Sequence, residues 1–445
     1  MSIFTEIELK KPKSNTFDLS HDKKLSMEMG TLTPIHCQEI IPGDVIKMST
    51  SQMVRMAPMI APVMHRINIY THFYFVPNRI IWPGWENFIT GGEDGEDATV
   101  FPFVNIQLDN LLPGANGDYM GLPTENVDIP GSKMKISPLP FYGLSKIYNE
   151  YYRDQNLIDP ILDEAIDGDN TATDIKTFIL ANPLKRAWAH DYFTSALPWT
   201  QKGPEATIPL GTSADIIYEP LVIGGIGQYI TQVKDNDGND IISQSSTNVE
   251  TSPTGDIEFN NPDSGVKSFN IDNSALLKTD LSTATASSIN DLRRAFKLQE
   301  WLELNARGGS RYIETILSHF GVRSSDARLQ RPEFLGGGVS PITISEVLQT
   351  SDASAQETPQ GNMAGHGISM GANNSFKYRA EEHGYIIGIM SVMPKSAYQQ
   401  GIPKHFLKFD KFDYFWKSFA HIGEQPIQHQ ELNVTDDANE NEKTF

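Results

Sequence analysis

The stretch of this sequence best suited to ligand chemistry is DARLQRPEFLGGG, residues 326–338. Its arginines and three successive glycines could cradle a phosphate, as in nucleotide enzymes. A P-loop needs a lysine after its last glycine, however, and Val339 follows Gly338 instead. A dinucleotide fingerprint opens a helix, whereas the VSPITIS that follows here is typical of a strand. The glycine run is therefore predicted to be a flexible turn that lets backbones approach closely.

The arginines of this region have two interpretations. Arg323, Arg328 and Arg331 could contact DNA phosphates, or they could pair with carboxylates within or between subunits. Arginine is enriched at polar interfaces, which favours the pairing role. Arg328 and Arg331 are therefore candidate subunit-contact residues, and the residues that contact DNA stay unknown.

Other patterns that could support catalysis or metal binding are incomplete. DNDGND at 235–240 alternates like a calcium loop, but Asp240 replaces the required glycine and Ser246 the final glutamate. The histidines form no HExxH. Glu381 and Glu382 are adjacent in a presumed strand, so they point to opposite faces and cannot form a dyad. No catalytic residue, metal site or cofactor is predicted.

Composition describes a globular chain of 445 residues with a formal net charge of −20. That charge argues against a surface that coats nucleic acid everywhere, although it is compatible with a local basic patch. Cys37 is the only cysteine, which removes intrachain disulfides and Cys-rich zinc sites. The N-terminal sequence lacks a signal-peptide core, and no run of eighteen apolar residues occurs. We expect a soluble protein without a membrane segment or a standard secretory signal.

The first elements of the chain that would position these residues are predicted to be strands. In IHCQEIIPGDVIKMS, Pro42-Gly43 suits a type II turn between two half-apolar runs. In residues 67–77, side chains of two kinds alternate along the chain. One set is predicted to lie on a core face and the other on a covered outer face. The core set is Ile67, Ile69, Phe73 and Phe75, and the outer set is Tyr70, His72 and Tyr74.

Two polar excursions and several helices follow. Residues 93–140 read as an acidic surface excursion and 231–288 as a polar excursion, because both are rich in Asp, Pro, Gly, Asn and Ser. WPGWENFITGG (82–92) suits a short helical turn closed by glycines. GLSKIYNEYYRDQN (143–156) suits a helix.

The region 288–321 is predicted to be a helical insertion. Its first helix starts at a Ser288–Asp291 capping box and stops at Gly308-Gly309; the second ends at Gly321. Trp301 and Leu304 fall opposite the main apolar stripe, so the first helix is expected to have a second packing partner. The main stripe is Leu292, Ala295, Phe296, Leu298 and Leu302.

The last third returns to strands over residues 374–394. Short strands at both ends of the chain, with excursions and helices between them, favour a β-sandwich with large insertions. The fold class predicted from these patterns is mainly β.

Blocks in a consistent order resemble the major capsid proteins of microviruses, small icosahedral single-stranded DNA phages, and most resemble the gokushovirus-type branch. They include FDLSHDKKLSMEMGTLTPIHCQEIIPGD (17–44), FYFVPNRIIWPGWENFITG (73–91), HDYFTSALPWTQKGP (190–204), the stretch 290–338, and EEHGYIIGIMSV, YQQGIPKHF and FAHIGEQ within 381–425. The excursions 93–135 and 231–288 fall outside the match.

The resemblance implies one jelly-roll β-sandwich over residues 1–445, with long loop and helical insertions. It implies a homo-oligomeric icosahedral shell around circular single-stranded DNA, assembled in the host cytoplasm. An internal scaffolding protein, a DNA pilot protein and a host surface receptor are the other implied partners. The excursion 231–288 is the candidate threefold protrusion that would meet the host. No enzymatic activity is expected.

Under this resemblance, residues 326–338 become an ordered linker near a subunit contact. Trp301 and Leu304 become candidates for packing against a neighbouring subunit or a second layer. The charge of −20 is expected to lie largely on outward-facing excursions, since packaged DNA is anionic.

Two other functions remain open: a host-surface or carbohydrate-binding β-sandwich outside any capsid, and a β-sandwich hydrolase with convergent acidic groups. Family members usually continue beyond NENEKTF, so we also expect a fragment, with a short natural variant as the alternative. A truncated chain should expose an unpaired strand edge or a cavity near 374–394.

Overall fold

The computed structural model describes residues 15–92, 96–124, 133–199, 201–204, 206, 215–218, 248–251, 257–260, 277–280, 289–309, 311–348, 350, 363–419 and 425–444. The chain divides into two compact units. Unit 1 comprises Met1–Thr200 and Asn305–Phe445, and unit 2 comprises Gln201–Leu304.

Strands dominate the described residues. They are β1 (Thr33–Ile40), β2 (Val45–Arg55), β3 (Ile67–Pro77), β4 (Val104–Gln107), β5 (Lys133–Ile136), β6 (Asp215–Tyr218), β7 (Asn248–Thr251), β8 (Ile257–Asn260), β9 (Leu277–Asp280), β10 (Glu333–Pro341), β11 (Thr343–Leu348), β12 (Met363–Arg379) and β13 (Gly384–Pro394). All pair antiparallel, which confirms the mainly β class.

Most helices are short, α6 being the longest, and all except the last two lie between strands. They are α1 (Asn78–Ile81), α2 (Trp85–Thr90), α3 (Asn116–Tyr119), α4 (Leu139–Ile147), α5 (Asp174–Leu180), α6 (Ile289–Gly308), α7 (Tyr312–Phe320), α8 (His429–Leu432) and α9 (Ala438–Glu442). A π-helical turn, Tyr148–Tyr152, continues α4, and 3₁₀ turns occupy Leu108–Asn110, Lys404–Phe406, Lys411–Asp413 and Lys417–Phe419.

Unit 1 is built on two sheets. One has the strand order β1-β13-β3-β10, and the other has the order β11-β12-β2. Residues 384–390 of β13 have a strand on both sides, whereas residues 374–379 of β12 pair only with β2. The sequence analysis expected an unpaired strand edge within 374–394. In the described part of the chain, such an edge occurs on β12 at 374–379, whereas residues 384–390 of β13 are paired on both sides.

The two sheets pack face to face. Phe73 and Phe75 of β3 lie 5.3 and 5.1 Å, between ring centroids, from Phe376 and Tyr378 of β12. The buried clusters between the sheets are Ile40, Phe75, Ala380 and Ile386, and then Ile67, Ile69, Ile342 and Val392. The alternation predicted for β3 is confirmed, because the same residues face the core.

The outer face of the four-stranded sheet is covered by a further layer. Tyr74 and Val76 of β3 and Ile387 of β13 pack there in one large cluster with residues of α1, α4 and the π turn. Burial of such side chains stabilises the fold by about 1.5–3 kcal/mol each. The side chains on the outer face of β3 are thus covered by helices of the same subunit.

The segment 93–140 differs from the expected surface excursion, because part of it is core. Val104, Ile106, Leu111 and Leu139 are fully buried. Strand β4 pairs with β5, and their four-residue alternation is too short to stand out in a sequence rich in Asp, Pro and Gly. The excursion 231–288 and the DNDGND stretch lie largely outside the described residues.

The prediction of a flexible turn at the three glycines is wrong. Gly336, Gly337 and Gly338 lie inside β10 and pair with Phe73, His72 and Thr71 of β3. A Cβ on Gly337 would lie 2.6 Å from the Thr71 carbonyl oxygen and 2.6 Å from His72 Cδ2. Close backbone approach, also predicted, is therefore the reason for glycine, but it occurs within a sheet.

Most predicted turns and helix ends are confirmed. Gly43 has φ 95° in the turn that carries the chain from β1 in one sheet to β2 in the other. Gly91 and Gly321 end α2 and α7 in left-handed conformation, and α6 stops at Gly308. Glu381 and Glu382 depart from prediction, because they lie in the turn between β12 and β13.

Candidate interaction surfaces

Arg331, a candidate contact residue, is engaged within its own chain. Its Nε lies 2.9 Å from Asp326 Oδ1, and its Nη1 lies 3.8 Å from Glu150 Oε2. The guanidinium carbon lies 4.3 Å from the Tyr151 ring centroid, and the Arg331 side chain is only 11% exposed. Burial raises the pKa of Tyr151. Arg331 thus links the turn before β10 to the π turn. Its pairing with carboxylates therefore occurs within the chain.

Arg328 is placed differently. It lies in the exposed turn at 326–330, and no ion pair involves it among the described residues. Arg323 is also exposed, just after α7. Of the arginines considered, these two are therefore the ones that present a guanidinium to solvent.

A neighbouring cluster that sequence reasoning missed joins α1 to two turns. Arg79 forms two contacts with Glu382, Nε to Oε2 at 2.5 Å and Nη2 to Oε1 at 3.1 Å. Its Nη1 also donates to Gln330 Oε1. Gln330 has φ 57°, a left-handed conformation that favours glycine in most contexts. Glu382 is therefore half of an ion pair.

His72 lies in a buried polar and aromatic network on the outer face of the four-stranded sheet. Its Nδ1 lies 2.7 Å from the Tyr152 hydroxyl, which also accepts from Tyr74 at 3.0 Å. The Arg186 guanidinium stacks 4.5 Å from the Tyr70 ring centroid. Burial, and then the nearby Arg186 charge, lowers the pKa of His72 to about 4. This imidazole is therefore neutral at physiological pH.

Helix α6 has an exposed apolar surface. Phe296 is 62% exposed and Trp301 50%, whereas Leu302 is buried and Leu304 half-buried. Within unit 2, a Cβ at Gly203 would lie 3.7 Å from Leu302 Cδ2. The predicted main stripe is thus buried at Leu302 and exposed at Leu292, Phe296 and Leu298.

A further exposed segment, residues 404–419, carries seven aromatic residues and four lysines in sixteen positions. We call it the aromatic–lysine segment. Its 3₁₀ turns are anchored where Lys404 Nζ lies 3.0 Å from the buried Glu431 Oε1. Glu431 also accepts from the Tyr192 hydroxyl at 3.0 Å. The high density of lysine and aromatic residues could have identified this segment from the sequence alone.

Features expected of an enzyme site are sparse in the described residues. A small pocket in unit 1 is lined by leucine, isoleucine, phenylalanine and tyrosine side chains and by Asn116. No group of three or more potential metal ligands occurs in the parts that the structure describes. Cys37 on β1 is half-buried, and burial raises the pKa of its thiol to about 12.

The comparisons with known proteins decide the family. A family model described as capsid protein (F protein) matches residues 6–445. The chain belongs to this capsid protein family.

Three relatives support this membership, and each is named capsid protein VP1. The protein of Bdellovibrio phage phiMH2K is 36% identical over 96% of this chain and 78% of its own length. Those of Chlamydia phage 1 and Spiroplasma virus 4 are 31% and 34% identical, over 98% and 95% of this chain and 80% and 77% of their own lengths.

The resemblance to microvirus major capsid proteins is therefore confirmed, and so is the function of a structural major capsid protein. A member of this family is a subunit of a virion shell, so its exposed surfaces have to be considered as contacts between copies. None of the helices in the described ranges is long and apolar enough to span a membrane.

Proposed function

We propose that this capsid protein self-assembles into a small icosahedral shell that encloses circular single-stranded DNA. The observation that carries the proposal is the family match over nearly the whole chain. Assembly takes place in the host cytoplasm, with an internal scaffolding protein and a DNA pilot protein as partners. The role is structural, without catalysis.

Large apolar side chains on the helical insertion support contacts between copies. Phe296 and Trp301 of α6 and Tyr312 and Phe320 of α7 are all exposed in the single chain. Aromatic residues are enriched at contacts between proteins, so exposed rings of this kind are candidates for such contacts. Trp301 and Leu304 on α6, and Arg328 beside β10, are the subunit-contact residues of this proposal, whereas Arg331 pairs within its own chain.

The two packed sheets support a single jelly roll. Strands β1, β3, β10 and β13 belong to one sheet, and β2, β11 and β12 belong to the other. The chain therefore crosses between the layers repeatedly, as a jelly roll requires. The remaining helices and strand pairs are insertions in this framework.

The two excursions face the outside of the shell in this proposal. Residues 231–288 form the protrusion at the threefold axes and bind a host surface receptor, and acidic residues of 93–140 lie outward. The net charge of −20 is then largely kept away from the packaged DNA. A surface potential as acidic inside the shell as outside would contradict this arrangement.

Electron microscopy of the full chain, co-expressed with the scaffolding protein, tests the proposal. We expect closed shells of uniform small diameter. Monomers that bind glycans and never assemble would instead establish a host-surface or carbohydrate-binding module. Substrate turnover that is lost on changing one carboxylate would establish a hydrolase.

A further inference from the structure

The aromatic–lysine segment exposes its rings to an unusual degree. Phe409 is 87% exposed and Phe415 77%. Its other exposed aromatic residues are Phe406, Phe412, Tyr414, Trp416 and Phe419. Because the segment is a succession of short 3₁₀ turns, its rings do not form the continuous apolar face of a helix, although Phe412 and Phe419 contact each other at 6.1 Å between ring centroids.

Positive charge accompanies these rings. The segment has four lysines and two aspartates, a net charge of +2 in a chain of −20, and Lys404 is the lysine that pairs with Glu431 outside the segment. Both carboxylates accept backbone N–H groups: Asp410 from Lys411 at 2.6 Å, and Asp413 from Asp410 at 2.7 Å and Phe409 at 2.8 Å. These bonds hold the local turns and lower the pKa of Asp413.

Two of the lysines stand directly beside rings. Lys408 Nζ lies 5.0 Å from the Tyr414 ring centroid, and Lys411 Nζ lies 4.9 Å from that of Phe412. Trp416 Nε1 donates to the Lys411 carbonyl oxygen at 2.8 Å, which orients the indole. The segment thus pairs flat π surfaces with cations at short range.

We propose that residues 404–419 bind single-stranded nucleic acid, with bases stacked on the rings and phosphates next to the lysines. Aromatic platforms along a positively charged track bind single strands without sequence preference. Protein interfaces are enriched in aromatic residues and depleted in lysine, so it is the lysines among these rings that favour a nucleic acid over a second copy as the occupant. Assignment of the ligand to packaged DNA rests on the proposed function, whereas single-strand binding itself does not.

Fluorescence anisotropy of a labelled oligothymidine with the purified full chain, before assembly, tests this inference. The double variant Phe409→Ala/Phe415→Ala should weaken binding by about tenfold or more, because stacking on both rings is lost. Lys408→Gln/Lys411→Gln should lower the slope of log affinity against log salt by about 1.4, or about 0.7 for each phosphate contact in a single strand.

Phe320→Ala is the matched control. Phe320 on α7 is 77% exposed, as Phe415 is, but lies outside the segment. Its variant should bind oligothymidine as the unmodified chain does. An equal loss for this control, or unchanged binding by both double variants, would overturn the inference.

Photocrosslinking of the unmodified chain to 5-bromodeoxyuridine oligonucleotides provides a readout independent of variant folding. Crosslinks should map to residues 404–419, and crosslinks confined to other regions would overturn the inference. Variants that bind oligonucleotide normally but form no shells would show a subunit contact instead. Failure of the unmodified chain to form shells, with binding by this segment intact, would refute only the proposed function.

Discussion

His72 shows how one buried side chain sets the response of the subunit to acid. Its pKa is lowered from 6.5 to about 4 by burial and by Arg186, and that of His36 on β1 is lowered to about 4 by burial, His21 and Lys23. The unfolded chain therefore binds more protons than the folded one between these values. Stability that is fully present above pH 6.5 is lost as the pH falls towards 4.

We expect the melting temperature of the unassembled subunit to fall progressively from pH 6.5 to pH 4. His72→Gln, which cannot become charged, should reduce this pH dependence while keeping a polar partner for Tyr152. Thermal denaturation across that range measures the effect. An identical pH profile for the variant and the unmodified chain would show that His72 does not contribute.

Arg331 and Arg328 form a matched pair for separating stability from assembly. Arg331→Ala leaves Asp326 and Glu150 without their cation, so we expect a loss of about 3 kcal/mol in the free energy of unfolding. Arg328→Ala removes an exposed side chain and should change that energy by less than about 0.5 kcal/mol. Denaturant titration of both variants measures the difference.

The same two variants also test the proposed contact role of Arg328. If this arginine meets a neighbouring copy, Arg328→Ala should reduce the yield of shells although the subunit stays as stable as before. Sedimentation of assembly reactions measures that yield. Shells in normal yield would place the subunit contact elsewhere.

At the scale of elements, β10 depends on the absence of side chains at its centre. A Cβ at position 337 would lie 2.6 Å from the Thr71 carbonyl oxygen, which belongs to the backbone of β3 and cannot move independently. A Cβ at position 336 would lie 3.3 Å from Phe376 Cβ, a milder contact. The two glycines are therefore not equivalent.

Gly337→Ala should destabilise the subunit by about 1–3 kcal/mol, as overpacking does. Gly336→Ala, in the same strand, should cost clearly less. Chemical denaturation of the two variants gives the comparison. If both changes had equal and small effects, the close packing of β10 on β3 would not limit stability.

Elements with side-chain periodicity were predictable from sequence. The alternation of β3 identified its core face, and the capping and glycine signals located α6 and α7. Strand β10 was missed because three glycines carry no alternation, so only tertiary contacts with β3 reveal their strand conformation. Strand β4 was missed because its alternation covers only four residues, and its burial comes from packing with distant residues.

Sites made of distant residues were harder to predict. The Arg79–Glu382–Gln330 cluster joins positions more than 250 apart in sequence, and no local pattern indicates such a pair. Arg331 was correctly considered for carboxylate pairing, although local sequence could not distinguish pairing within the chain from pairing between subunits. The aromatic–lysine segment was also not predicted as a site, although its composition is visible in the sequence.

At the scale of the whole molecule, the helical insertion is the part that copies of the chain are proposed to share. Trp301→Ala should reduce shell yield strongly, because burial of an exposed aromatic anchor often dominates an interface. Since Trp301 is only 50% exposed in the single chain, its truncation also removes packed surface, so the melting temperature of the subunit should fall somewhat as well, and shell yield is compared at a temperature where the subunit stays folded. Electron microscopy of the assembled material measures the yield.

Leu304→Ala provides the comparison on the same helix. Leu304 is half-buried, so this change should lower both subunit stability and shell yield. Calorimetry of the unassembled chain separates the two effects. Normal shells from both variants would exclude this face of α6 from the contacts between copies.

The chemistry of Cys37 has a practical consequence for labelling. A thiol with a pKa near 12, half-buried on the edge strand β1, is almost wholly protonated at neutral pH and reacts slowly with maleimides. It is also the only sulfhydryl in the chain. A cysteine engineered at an exposed position would then be the preferred point for attaching a dye or cargo, one per subunit, without first removing the native residue.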